Sequence, residues 1–246
     1  MNTTLSRFAL GAIASTFLFA APSFAAPDDP LHATAERAKP NYWTSRYTPA
    51  ELKKASQSLN SDYVSESKER DHWTKDRLRV YVDFSHATKV KWFNQKLFAL
   101  KVDQCMENWN EAVDNKFHFE KTTNKKEADI FIKFDTFRYN KPKDWAGFTM
   151  VHPGDNHKIL TADVAIFLLW ANGDRYNDFN IESTVYHEFG HALGLQHSAN
   201  AADIMYPVSS MSSLSPRDCN SLRRLYGLPE RDTISRICDR SEIAVQ

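Results

Sequence analysis

The chain has 246 residues, enough for one domain with an extension, and its 42% hydrophobic and 13% aromatic content supports a sizeable core. Lys plus Arg and Asp plus Glu both total 31. That balance excludes an electrostatic case for a nucleic acid partner or for adhesion to an anionic membrane surface.

Residues 1–25 read as a secretory signal. Arg7 supplies a positive start, residues 8–21 are apolar and rich in Ala and Phe, and Ser23-Phe24-Ala25 offers small residues around a cleavage point. The apolar run is short for a bilayer span, and no later stretch is long enough, so no integral membrane segment is expected in the mature chain. A secreted or periplasmic location follows. Cys105, Cys219 and Cys238 contain no CxxC pair, so a thiolate zinc site is not suggested. Cys105 fits a helical pattern as a small buried residue, which leaves Cys219 and Cys238 as the favoured disulfide in an oxidising compartment.

Residues 26–76 are polar and proline-containing, and read as an N-terminal extension or propeptide. Thr48-Pro49-Ala50-Glu51 is a helix start, with a capping Thr, Pro at the first helical position and a Glu that completes a capping box. A short helix to about Leu59 is expected. The catalytic domain is expected over residues 77–230, with 231–246 as a C-terminal tail.

Within that domain, residues 78–84 alternate and are β-rich, giving a first strand. Residues 90–114 carry a helical stripe at Phe93, Leu97, Leu100, Cys105, Met106, Trp109 and Val113, imperfect near 101–104. Residues 116–121, 128–134, 147–151 and 163–169 are four more strands. Asn180 is expected to cap a helix ending at Leu193, and Ser215 a last helix closing at Tyr226-Gly227. The fold class is therefore α/β (α+β): a mixed sheet and three main helices in one domain.

The run His187-Glu188-Phe189-Gly190-His191-Ala192-Leu193-Gly194-Leu195-Gln196-His197-Ser198 carries the chemistry. Residues i and i+4 share a helix face, so His187 and His191 present two imidazoles to one point. Gly194 can turn left-handed, end the helix and let His197 return as a third nitrogen ligand. Three protein ligands leave a fourth position open, as a catalytic zinc requires. Glu188 projects beside the metal, placed to take a proton from an attacking water.

The extended zinc motif resembles that of the metzincin metallopeptidases, and Ser198 after the third His is similar to the matrixin (matrix-metalloproteinase-type) branch. Asp203-Ile204-Met205-Tyr206-Pro207 resembles the Met-turn of such proteins, which implies Met205 as an apolar floor beneath the imidazoles and not a ligand. The placement of Tyr206 does not match the metal-proximal Tyr of the astacins and serralysins, so it is not assigned as a ligand. Ala128-Asp129-Ile130-Phe131-Ile132, Trp109 and Leu225-Tyr226-Gly227 resemble further parts of the family, over about Leu78 to Leu228. Ala146-Gly147-Phe148-Thr149-Met150 resembles the edge strand that aligns an extended substrate by backbone pairing.

The resemblance implies a five-stranded twisted sheet, a zinc cleft between upper and lower subdomains, and a secreted zinc endopeptidase. Its partners would be protein or peptide substrates, and a monomer is expected. One catalytic Zn2+ is implied and structural calcium stays open. A second zinc is not supported, because Ala162-Asp163-Val164-Ala165 offers Ala where the family has His, and His152 and His157 read as loop histidines out of register. The Pro-Arg-Cys-Gly latency switch of the family is absent; Asp28 or Asp29 would be the alternative blocking groups. Residues 208–213, which follow the Met-turn, are short and Ser-rich, so the side-chain preference of matrix metalloproteinases does not carry over. Two other readings share the motif: an inactive secreted binding protein on the same fold, and a zinc amidase acting on cell-wall peptides.

Overall fold

The computed structural model describes residues 70–136, 145–170, 172–209 and 211–231. The expected signal, the helix at 48–59, Asp28, Asp29 and Cys238 lie outside them.

Five strands form one mixed sheet in the order β2-β1-β3-β5-β4. They are β1 (Arg77–Asp83), β2 (His118–Lys121), β3 (Ile130–Asp135), β4 (Gly147–Pro153) and β5 (Ile159–Phe167). The first three and β5 run parallel, and β4 alone is antiparallel, hydrogen-bonded to β5 at the sheet's edge. Alternation places Leu78 and Val80, then Ile130, Ile132 and Phe134, then Val164 and Ile166 in the core. Burial of these side chains is the main favourable term in the fold.

Among the described residues three α-helices complete the fold: α1 (Gln95–Ala112), α2 (Asp178–Ala192) and α3 (Pro216–Leu225). The stripe of α1 is as expected at Cys105, Met106, Trp109 and Val113 and differs in phase in the first half of the helix. Asn94 caps the helix by accepting from the Leu97 backbone, and Phe98, Val102, Cys105, Met106, Trp109 and Ala112 are buried. Leu100 is 53% exposed. The apparent gap at 101–104 arose from taking Leu100 as a core position, where Val102 fills that role. Cys105 is a free, buried thiol, and burial pushes its pKa well up. Cys219 is disulfide-bonded.

Element boundaries move as well. Strand β5 begins at Ile159, four residues before the expected 163, because Ile159 to Ala162 pair with the extended end of β4. Helix α2 is capped by Asn177, whose side chain accepts from the Asn180 backbone at 2.7 Å, so Asn180 is the third helical residue and not the cap. The start of α3 is as expected: Ser215 and Asp218 form a reciprocal capping box with Pro216 between them. Among the described residues no helix is long and apolar enough to cross a membrane.

Helix α2 packs against β4, β5 and α1. Side chains on α1 bond to α2 directly: Trp109 Nε1 donates to the Tyr186 carbonyl at 3.1 Å, and Asn108 donates to the Tyr186 hydroxyl at 2.8 Å. Burial, with Cys105 and Glu182 nearby, raises the Tyr186 phenol above its ordinary range and keeps it neutral.

Candidate active site

The C-terminal half of α2 is buried on nearly every side, including His187 and Glu188, each 4% exposed. Close packing beneath it depends on Gly190. A Cβ there would strike the Met205 sulfur and lie 2.9 Å from the Trp109 ring. Met205 is fully buried, so the Met-turn packs directly under the helix.

The helix then stops in a Schellman turn. Leu195 N–H donates to the Gly190 carbonyl at 3.0 Å and Gly194 N–H to the His191 carbonyl at 2.8 Å. Gly194 has φ +98°, and a Cβ on it would collide with the Asp71 carbonyl. Glycine is thus required there twice over, by backbone angle and by space. Two large side chains satisfy the helix's last carbonyls: Trp73 Nε1 donates to the Ala192 carbonyl at 2.9 Å and the Tyr226 hydroxyl to that of Leu193 at 2.9 Å.

This turn brings His187, His191 and His197 together. Their ring centroids lie 4.7, 4.8 and 5.2 Å apart. His187 Nε2 lies 3.1 Å from His191 Nε2 and 3.3 Å from His197 Nε2. On the far side, His187 Nδ1 donates to the Ile204 carbonyl at 2.7 Å and His191 Nδ1 to the Leu195 carbonyl at 2.8 Å. A carbonyl only accepts, so both rings carry their proton on Nδ1 and face each other with Nε2 lone pairs. Two lone pairs 3.1 Å apart repel unless a cation lies between them. Nitrogens about 2.0–2.1 Å from a tetrahedral ion stand roughly 3.3 Å apart, so the spacing and the donor set fit a metal such as zinc. Among the described residues this is the one group of three metal-ligating side chains that converges.

The loop after the third histidine is held by a buried polar network. Ser198 N–H donates to the Met205 carbonyl at 2.8 Å. The Ser198 hydroxyl donates to the Asp203 carboxylate, which Arg217 also pairs with and to which Ser215 donates at 2.7 Å. Arg217 Nη2 donates to the Ser198 oxygen at 2.9 Å. Asp218 receives the Ile204 backbone at 2.9 Å and the Ser215 backbone at 2.7 Å. Its hold on Ile204 fixes the very residue whose carbonyl orients His187.

Glu188 lies against β4. A Cβ on Gly147 would sit 2.6 Å from Glu188 Cγ and Oε1, so strand and carboxylate approach as closely as glycine permits. Thr149 Oγ1 stands 2.6 Å from Glu188 Oε2. Neither contact was legible in the sequence; the apposition of an edge strand and a helix 39 residues later has no local signature.

His152 and His157 take no part. His152, expected in a loop, is on β4, which runs two residues beyond the expected 151; its Nε2 meets Asp163 of β5 at 2.8 Å. His157 Nδ1 lies 3.4 Å from Asp71.

The matrixin family profile matches residues 72–227. The chain belongs to the matrixin family. It is 31% identical over 141 residues to stromelysin-1 of Rattus norvegicus, covering 52% of this chain and 28% of that protein. It is 32% identical over 138 residues to matrix metalloproteinase-20 of Homo sapiens, covering 51% and 27%. Metalloendoproteinase 1 of Glycine max is 28% identical over 191 residues, covering 72% and 59%. The match thus spans from about a quarter to three fifths of these relatives' lengths. The matrixin family implies zinc, which the three histidines could hold.

Proposed function

We propose that the protein is a secreted zinc endopeptidase. The observation that carries the reading is the convergence of three Nε2 atoms, two of them fixed by backbone carbonyls, beside the buried carboxylate of Glu188. His187, His191 and His197 would hold the ion. Zinc bound there supplies a Lewis acid that polarises the scissile carbonyl and makes water acidic enough to attack near neutral pH.

Glu188 acts as general base, and its proton accounting closes. It takes one proton as the water oxygen bonds to the carbonyl carbon, and returns it to the amine as the C–N bond breaks. The two helical rings keep their Nδ1 protons throughout, held by the carbonyls of Ile204 and Leu195. Strand β4, whose outer edge pairs with no strand among the described residues, would align an extended substrate by backbone hydrogen bonds. The apolar run at 8–21 would direct export, with 26–76 as an extension or propeptide ahead of the catalytic domain at 77–230.

Casein cleavage tests the reading. The wild-type protein should cleave casein and stop when 1,10-phenanthroline is added. Glu188→Ala should retain zinc and lose about 10²–10⁴-fold in kcat. Near-normal turnover in that variant would defeat the assigned base. A metal-loaded wild type that leaves casein and unfolded proteins intact would favour the cell-wall amidase or the inactive binding protein.

A further inference from the structure

We propose that Thr149 is a positioning residue for Glu188, so that the strand meant to align the substrate also sets the base. This rests on the peptidase reading above, and adds to it a residue outside the zinc motif.

Strand β4 and helix α2 approach each other closely. Gly147 and Thr149 are two apart on a strand and so share one face, the face turned to the helix. At Gly147 even a methyl group would sit 2.6 Å from Glu188 Cγ, Glu188 Oε1 and Thr184 Cγ2. The Glu188 side chain therefore lies on β4, with Oε1 over Gly147 and Oε2 toward Thr149. There the Thr149 hydroxyl stands 2.6 Å from Oε2 and 3.0 Å from the Glu188 backbone carbonyl. A hydroxyl has one proton, and 2.6 Å is within the short range of a hydrogen bond to a charged oxygen, so the carboxylate is the acceptor.

Three physical consequences follow. A carboxylate 4% exposed needs a donor to offset its lost hydration, and Thr149 provides one from a neutral group. Threonine is stiff about χ1, so its hydroxyl fixes Oε2 and with it the carboxylate plane. Oε1 lies over the side-chain-free surface of Gly147, so both oxygens of the base are set against the strand. A base held in place needs no reorganisation when the water arrives.

The test compares Thr149→Val, which keeps shape and loses the hydroxyl, with Thr149→Ser, which keeps the hydroxyl. In the zinc-loaded full chain acting on a casein-derived peptide, Thr149→Val should lose about tenfold in kcat with KM within about twofold. Thr149→Ser should stay within about threefold of wild type. Zinc affinity, read by chelator competition, should be unchanged in both. In metal-free protein, the shifts in unfolding midpoint from Thr149→Val and Glu188→Gln should be non-additive in a double-mutant cycle. Wild-type kcat in Thr149→Val, no rescue by Ser, or an additive cycle overturns the assignment and leaves the peptidase reading standing. A wild-type protein that cleaves no peptide overturns the peptidase reading, and the positioning role falls with it.

Discussion

The molecule places histidines in two settings that differ in what surrounds the ring. At the end of α2, His187 and His191 give their Nδ1 protons to backbone carbonyls and turn Nε2 toward His197. At the ends of β4 and β5, His152 faces Asp163 and His157 faces Asp71, with side chains 42% and 48% exposed. In the first setting the backbone fixes the two helical rings so that three ring nitrogens converge. In the second, each ring already meets an acidic neighbour, one to one, in water. Histidine count therefore says little about metal binding; what matters is whether the second nitrogen is anchored so that the first points at its fellows.

That contrast can be broken from the supporting side. Asp218 holds Ile204, and Ile204 orients His187. Asp218→Ala strips a fully buried carboxylate from several backbone donors and from the capping box of α3, and should cost roughly 2–4 kcal/mol in chemical denaturation. Zinc affinity should fall as well, by about 10–100-fold, since the Ile204 carbonyl is no longer fixed. If affinity held while stability dropped, the turn would be scaffold only.

The opposite change sharpens the contrast. His152→Ala removes one partner of a half-exposed pair, and should alter stability by no more than about 0.5 kcal/mol and leave zinc stoichiometry unchanged. Loss of a bound ion in His152→Ala would place a metal where the account has none.

Legibility followed the distance over which each feature is encoded. The three ligands, the base and the turn at Gly194 lie within eleven consecutive residues, and helical periodicity with one left-handed glycine fixes their arrangement. The Ser215 capping box is similarly local. The phase of α1 was less so, because Leu100 and Val102 are equally apolar and only packing decides between them. Asn177 and Asn180 are equally good caps by type, and the choice depends on where the preceding loop leaves the chain. What escaped altogether was non-local: the Thr149–Glu188 contact, the His152–Asp163 pair and the Asp218–Ile204 support each join separate elements. The early start of β5 belongs here too, since it depends on the partner strand running on to Pro153.

The central claim is that three rings close on one ion, and His197, the ligand outside the helix, tests it most directly. Chelator-competition titration of wild type and His197→Ala measures it. The account predicts one zinc per wild-type chain at the high-affinity site, and more than about 100-fold weaker binding in the variant, which keeps only the two helical nitrogens. Equal zinc affinity in the two proteins, or no zinc uptake by the wild type, would contradict it.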